Sequence, residues 1–303
     1  MFRSTLKTIF RLISIMIPVS YCVVLLQHWG ILNDIAYMAE PVCRIFGLRG
    51  ETVLVLITSA LGNIYAGIAV IQSIPFTAKE ITIMALMVLL AHDLIIETTI
   101  QVKAGLSAFR IICLRVGGAI IGGLLLNQVL PESDTIIIHG IEANHLPFID
   151  VMQHWLTGTL MLTFKLICIT LALNILRYIL DEYGIMKTFS RWITPLFFPM
   201  GLSRNMAFPW TIANISGLTA GISALLEYRK DDKISERDVG LFNYHISFSH
   251  SLLEDTILFL AIGVGIGWIT LPRIMMAVAV VWIVKLLGNK DKRYLSGDSL
   301  IMM

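Results

Sequence analysis

Charge is scarce in this chain: Asp, Glu, Lys and Arg make up 15% of its 303 residues, where a soluble domain carries roughly 25%. Hydrophobic residues reach 56%. These proportions exclude an ordinary water-soluble domain and point to an integral membrane protein whose first partner is the lipid bilayer. The net charge is only +2 and the basic residues form no stripe, so no nucleic-acid polymer is expected as a partner. Cysteine is sparse as well. Cys22, Cys43, Cys113 and Cys168 are scattered along the chain, with neither a disulfide framework nor metal-ligand spacing. No P-loop, G-x-S-x-G elbow or thiol-protease arrangement occurs, so no enzyme chemistry, catalytic residue or cofactor is expected. The interval between Arg115 and Lys165 holds no Lys or Arg at all, while Glu132, Asp134, Glu142 and Asp150 lie in it.

A bilayer crossing needs about 20 apolar residues. Eight segments qualify as candidates: Leu12–Trp29, Thr52–Ile74, Ile81–Ile100, Ile111–Leu130, Leu156–Leu180, Met206–Leu226, Val239–Ile262 and Arg273–Leu287. The basic start, Met1 to Arg11, runs into the first of them without a small-residue cleavage motif, so it reads as an uncleaved helix. The stretches between Gly30 and Gly50 and between Gly184 and Asn205 are mixed in polarity and suit interfacial or re-entrant pieces.

Against this apolar background stand two polar knots. His92-Asp93-Leu94-Ile95-Ile96-Glu97-Thr98 is answered 158 residues later by His250-Ser251-Leu252-Leu253-Glu254-Asp255-Thr256. Ionisable groups at membrane depth are expensive and mark ion or substrate paths. The match extends beyond the knots. At an offset of 154 residues, Gly30 meets Gly184, Pro41 meets Pro195, Gly47 meets Gly201 and Ala66-Gly67-Ile68 meets Ala220-Gly221-Ile222. At 158, Arg115 meets Arg273. The charged stretch Glu227–Asp238, read as a solvated loop, absorbs the change.

An all-α integral membrane protein of two inverted-topology repeats is therefore expected, with a first repeat over 1–130, an extracytoplasmic connection over 131–154, a second repeat over 155–288 and a cytoplasmic tail over 289–303. Cytoplasmic connections are enriched in Lys and Arg, so the basic termini face the cytoplasm and the central connection faces outward. Each half then crosses an odd number of times, which requires one broken or re-entrant segment per half. Thr52–Ile74 and Met206–Leu226 are the candidates, because Asn63, Asn214 and neighbouring Ser and Gly interrupt them.

The candidate path residues are His92, Asp93, Glu97 and Thr98 of the first knot, His250, Glu254, Asp255 and Thr256 of the second, and His245, Asn63 and Asn214. On an unbroken helix Asp93 and Glu97 share a face, as do His250 and Glu254, while His92 points away from Glu97. Glu97 and Asp255 should approach each other where the halves meet. Such groups serve proton coupling, a divalent cation or a polar organic substrate equally well, so the metal is unknown. Lys165 and Arg177 are expected to snorkel at the interface.

The residues Leu61-Gly62-Asn63-Ile64-Tyr65-Ala66-Gly67-Ile68 and Ile215-Ser216-Gly217-Leu218-Thr219-Ala220-Gly221-Ile222, with the paired knots, resemble the Gate family of membrane modules, also called nucleoside-recognition domains. That family includes spore maturation proteins A and B, the membrane part of ferrous-iron transporter B and regions similar to concentrative nucleoside transporters. The resemblance covers most of the chain as two gate-like halves. It implies a multi-pass protein of the bacterial cytoplasmic membrane, with inverted repeats and re-entrant hairpins, that transports a small solute or ion. A non-transporting assembly partner of the spore-maturation type is the alternative, and homo-oligomerisation is left open.

Overall fold

The computed structural model describes residues 2–133, 135–140, 146–230 and 234–297. Among them the chain is almost wholly helical. It runs through α1 (Phe2–His28), α2 (Ile31–Cys43), α3 (Thr52–Leu61), α4 (Ile64–Ser73), β1 (Pro75–Thr77), α5 (Ala78–Ala91), α6 (Leu94–Val102) and α7 (Ala108–Val129). There follow β2 (Ile136–His139), α8 (Phe148–Glu182), α9 (Ile185–Ile193), α10 (Ala207–Ser216), α11 (Leu218–Lys230), α12 (Glu236–Ser249), α13 (Leu252–Leu260) and α14 (Ile266–Gly297). The short strands β1 and β2 pair antiparallel, Phe76 opposite Ile138.

Five stretches are long and apolar enough to cross a membrane: Thr5–His28, Ala78–Val102, Ala108–Val129, Phe148–Glu182 and Ile266–Leu287. They expose large apolar side chains, among them Phe10, Phe109, Met161, Phe164 and Met275. In water such a surface would drive aggregation; against lipid tails it is at home. The protein is an all-α membrane protein.

Thr52–Ile74 and Met206–Leu226 do not cross as single helices. The first stops at Gly62, and the Asn63 side chain accepts a hydrogen bond from the Ala66 amide and caps α4. The second breaks at Gly217, whose φ of 95° is open to glycine and strained for other residues. Each break folds its segment into a tight hairpin. A Cβ on Gly67 would lie 3.0 Å from the Ser59 Cβ, and one on Gly221 only 2.3 Å from the Ala213 Cβ. A ten-residue arm such as α3, α4 or α10 is about 15 Å long, roughly half the hydrocarbon thickness.

Three expectations need correction. Neither Ile81–Ile100 nor Val239–Ile262 is one continuous helix: α5 ends at Ala91 and α6 starts at Leu94, and α12 ends at Ser249 and α13 starts at Leu252. Glu227–Asp238 is mostly helical: it is taken by the end of α11 and the start of α12, with residues 231–233 outside the described set. The stretch after residue 288, expected as a cytoplasmic tail, is helical as far as Gly297, which does not bear on that expectation. The central connection is described only in part, and its acids Asp134 and Glu142 lie outside the described residues.

Two core regions hold the helices together. The larger surrounds α5, whose residues from Lys79 to Leu90 are all buried, including Ile81, Ile83 and Leu89. The smaller joins Phe197, Met206, Ala213, Ile222, Phe242 and Val281 around α10, α11, α12 and α14. Together they place the ends of α5 and α12, with His92 and His250, deep in the protein.

Candidate functional site

Each knot is a helix break held by the same set of contacts. Thr77 opens α5 with a capping box to Glu80, and Ser235 opens α12 with one to Asp238. Such boxes satisfy two amides that the first turn leaves unpaired. At the other end His92 and His250 leave the helix with ψ of 162° and 159°. The next residues, Asp93 and Ser251, turn left-handed at φ 46° and 53°. Their amides then donate to a hairpin carbonyl, Asp93 to Ser59 and Ser251 to Ala213, both at 2.9 Å.

The carbonyls stranded by these breaks are taken up by two buried arginines. Arg115 donates to Leu90 O at 3.0 Å and His92 O at 2.9 Å. Arg273 donates to Phe248 O at 2.8 Å and His250 O at 2.5 Å. Both are fully buried, where an uncompensated charge costs several kcal/mol. Compensation comes from the knots' own carboxylates. Arg115 Nη1 lies 2.6 Å from Glu97 Oε2, an ion pair by distance though not aligned as a linear hydrogen bond, and Arg273 Nη2 lies 3.4 Å from Asp255 Oδ2.

The two knots meet. The rings of His92 and His250 stack at a tilt with centroids 5.6 Å apart. Glu97 Oε1 lies 3.5 Å from His92 Nε2 and 3.1 Å from His250 Nε2, so Glu97 reaches across to the other knot. Ligating atoms of His92, His250 and Asp255 all lie within 4.8 Å of one another. His92 therefore does contact Glu97, contrary to unbroken-helix geometry, because the break at Asp93 swings the ring round. Glu97 and Asp255 share this centre, yet no hydrogen bond joins them, and each pairs with the arginine of its own half.

The break also separates residues expected on one face. Glu254 does not join His250; it accepts from Arg177 Nη2 at 2.5 Å and from Tyr65 Oη at 3.0 Å. Arg177 also donates to Ile215 O at 2.7 Å, at the break of the second hairpin. It thus ties α8 to the second hairpin and to α13, with Glu254 linking on to Tyr65 of the first hairpin, and does not snorkel. Lys165 likewise donates to the Ala261 carbonyl. A cavity of about 500 Å³ opens beside Arg177, lined also by Asn174, Asp181, Ser216, Ser223 and Glu227. Another of about 290 Å³ lies between α1, α4 and α8, and neither cavity is lined by a knot residue.

The remaining candidates are dispersed. Asp93 forms the left-handed turn without a capping bond, and Asn63 caps α4. Thr256 Oγ1 lies 3.4 Å from Thr270 Oγ1. Asn214 donates to Trp210 O, and its Oδ1 is buried without a partner, as is Thr98 Oγ1. His245 Nδ1 lies 2.9 Å from Ser249 Oγ and 3.3 Å from Trp210 Nε1. Sequence reasoning passed over Arg115 and Arg273 as site residues, although their matched positions were visible. It also passed over Gln101, whose Nε2 donates to Asn243 Oδ1 at 3.0 Å and to Ser247 Oγ at 2.8 Å. An amide inside an apolar helix was the available sign.

No protein-family model matches the chain. It is 29% identical over 276 residues to the uncharacterized membrane protein YvoD of Bacillus subtilis (strain 168), across 90% of this chain and 88% of that protein. That likeness supports a membrane protein and carries no substrate with it.

Proposed function

We propose that this chain is a membrane transporter or permease for a small polar solute or ion, with its path between two gate-like halves. The observation that carries this reading is the meeting of His92, Glu97, His250 and Asp255 at paired helix breaks. Broken helices that bring polar groups to one central place are the recurrent device of secondary transporters. In this reading the halves are inverted repeats, as matched glycines also suggest: φ is 76° at Gly30 and 63° at Gly184, 67° at Gly47 and 75° at Gly201. The termini face the cytoplasm and residues 131–154 face outward, in a bacterial cytoplasmic membrane. Membership of the Gate family belongs to the same proposal.

A non-transporting assembly partner is the second reading, favoured by one observation. The carboxylates and arginines of the centre are paired with one another and buried, as in a stapled scaffold.

A thermal-shift screen of the purified protein against nucleosides, amino acids, carboxylates and divalent cations tests the transport reading. A ligand bound only by the folded state raises stability by mass action, about 2.7 kcal/mol at a hundredfold excess over Kd. A stabilising ligand whose effect is lost in Glu97→Gln, and which wild-type vesicles take up, is the expected result. Uptake unchanged in Glu97→Gln overturns the path.

A further inference from the structure

The hydrogen-bond roles at the centre fix more than its shape. His92 Nδ1 lies 3.0 Å from the Val88 carbonyl and His250 Nδ1 lies 2.7 Å from the Ile246 carbonyl. A carbonyl oxygen only accepts, so each Nδ1 carries the hydrogen and, in a neutral ring, each Nε2 presents a lone pair. Those lone pairs converge on Glu97 Oε1, at 3.5 and 3.1 Å. Three electron-rich atoms facing one another repel unless a proton on an imidazole or a metal cation lies among them. Arg115 and Arg273 do not relieve that repulsion, since Arg115 addresses the far oxygen of Glu97 and Arg273 addresses Asp255.

We propose that His92 Nε2, His250 Nε2 and Glu97 Oε1, with Asp255 alongside, form a binding site for one divalent transition-metal cation. The donor set is two imidazoles and the Glu97 carboxylate, with a second carboxylate near both imidazoles, which suits Zn²⁺ or Co²⁺. Bonds of 2.0–2.1 Å in a tetrahedron give ligand–ligand separations of about 3.4 Å, and the two measured separations bracket that value. Asp255 offers a further oxygen within 4.8 Å of both imidazoles. Backbone carbonyls on both Nδ1–H groups are the outer-shell partners that orient metal-binding histidines. His92, His250 and Asp255 are each at least nine-tenths buried, so the cation would be held away from bulk water.

The charge balance predicts how tightly. Two arginines and two ionised carboxylates cancel, so a dication leaves the buried centre at a net charge of plus two. Binding is therefore weaker than at a structural zinc site and reversible. The inference does not rest on the transport reading, because a bound metal satisfies it whether or not it crosses.

Equilibrium dialysis of the detergent-purified chain against ZnCl₂ tests the site, with CoCl₂ as a spectroscopic probe. One metal per chain is expected, with the intense visible absorption of low-coordinate, nitrogen-ligated Co²⁺. His92→Gln and His250→Gln should each weaken binding at least tenfold, and His154→Ala, which lies by the distant cavity, should leave it unchanged. Wild-type protein that takes up no metal, or that shows only the weak spectrum of hydrated Co²⁺, overturns the proposal without reference to any variant's folding. So does undiminished binding by a folded His92→Gln, His250→Gln double variant.

Discussion

Helices α5 and α12 share one backbone course and differ in what they line. Both begin in a capping box, end at a histidine and hand over to a left-handed residue, and a buried arginine takes up the last carbonyls of each. Yet at the 158-residue offset Ala85, Met87, Leu89 and Ala91 of α5 stand where α12 has Asn243, His245, Ser247 and Ser249. Of the first set, Ala85, Met87 and Leu89 lie in the apolar core and Ala91 packs against it. The second bonds to Gln101 and Trp210, and His245 Nε2 and Gln101 Oε1 remain unpartnered. The backbone course of these two helices is shared, whereas the polar lining is one-sided. A path through this molecule would run along α12, with α5 as its buttress.

The largest expected effects come from the feature the halves share. Arg115→Leu and Arg273→Leu each leave a buried carboxylate and two carbonyls without their partner, at about 3–5 kcal/mol. Loss of monodisperse protein in detergent, similar for both, is the readout; a tolerant Arg273→Leu beside a lethal Arg115→Leu would break the equivalence. The hairpins should differ. A Cβ on Gly221 would sit 2.6 Å from the Ala213 Cα, while one on Gly67 meets nothing nearer than the Ser59 Cβ at 3.0 Å. Gly221→Ala should lower stability by about 3 kcal/mol and Gly67→Ala by about 1, compared by thermal unfolding.

The polar lining predicts smaller changes. Asn243→Ala removes the reciprocal bonds with Gln101 and should cost roughly 1–2 kcal/mol, with Gln101→Leu restoring part of it in the double variant. Smallest of all, Asp93→Gly and Ser251→Gly relieve left-handed backbone and should stabilise by up to about 1 kcal/mol each. Destabilisation by either would show that its side chain, not its turn, is what matters.

Much of this plan was legible in the chain. Apolar length marked the membrane class, and Asn63 and Gly217 marked the hairpin breaks. The knots themselves were visible as His and acid in an apolar background, but their breaks were not. Helical periodicity reports which face a residue takes while the helix continues, and neither His92 nor His250 carries a glycine or proline to announce its end. The cut depends on Arg115 and Arg273, more than 20 residues downstream, which no local pattern reveals. For the same reason Glu254 was placed with His250 when it belongs to Arg177 and Tyr65.

The central claim is that the meeting place of the knots belongs to a path and is not a sealed staple. Thr98 tests it, being next to Glu97, buried, and without a partner for its hydroxyl. In protein freed of Cys22, Cys43, Cys113 and Cys168 and held in vesicles, a Thr98→Cys thiol is exposed to a small cationic thiosulfonate from either side. Asp181→Cys, at the rim of the larger cavity, serves as the reactive reference. The account predicts that the residue-98 thiol is modified, more slowly than the reference. A residue-98 thiol inert from both sides, beside a fully modified reference, would contradict the path and leave the scaffold reading standing.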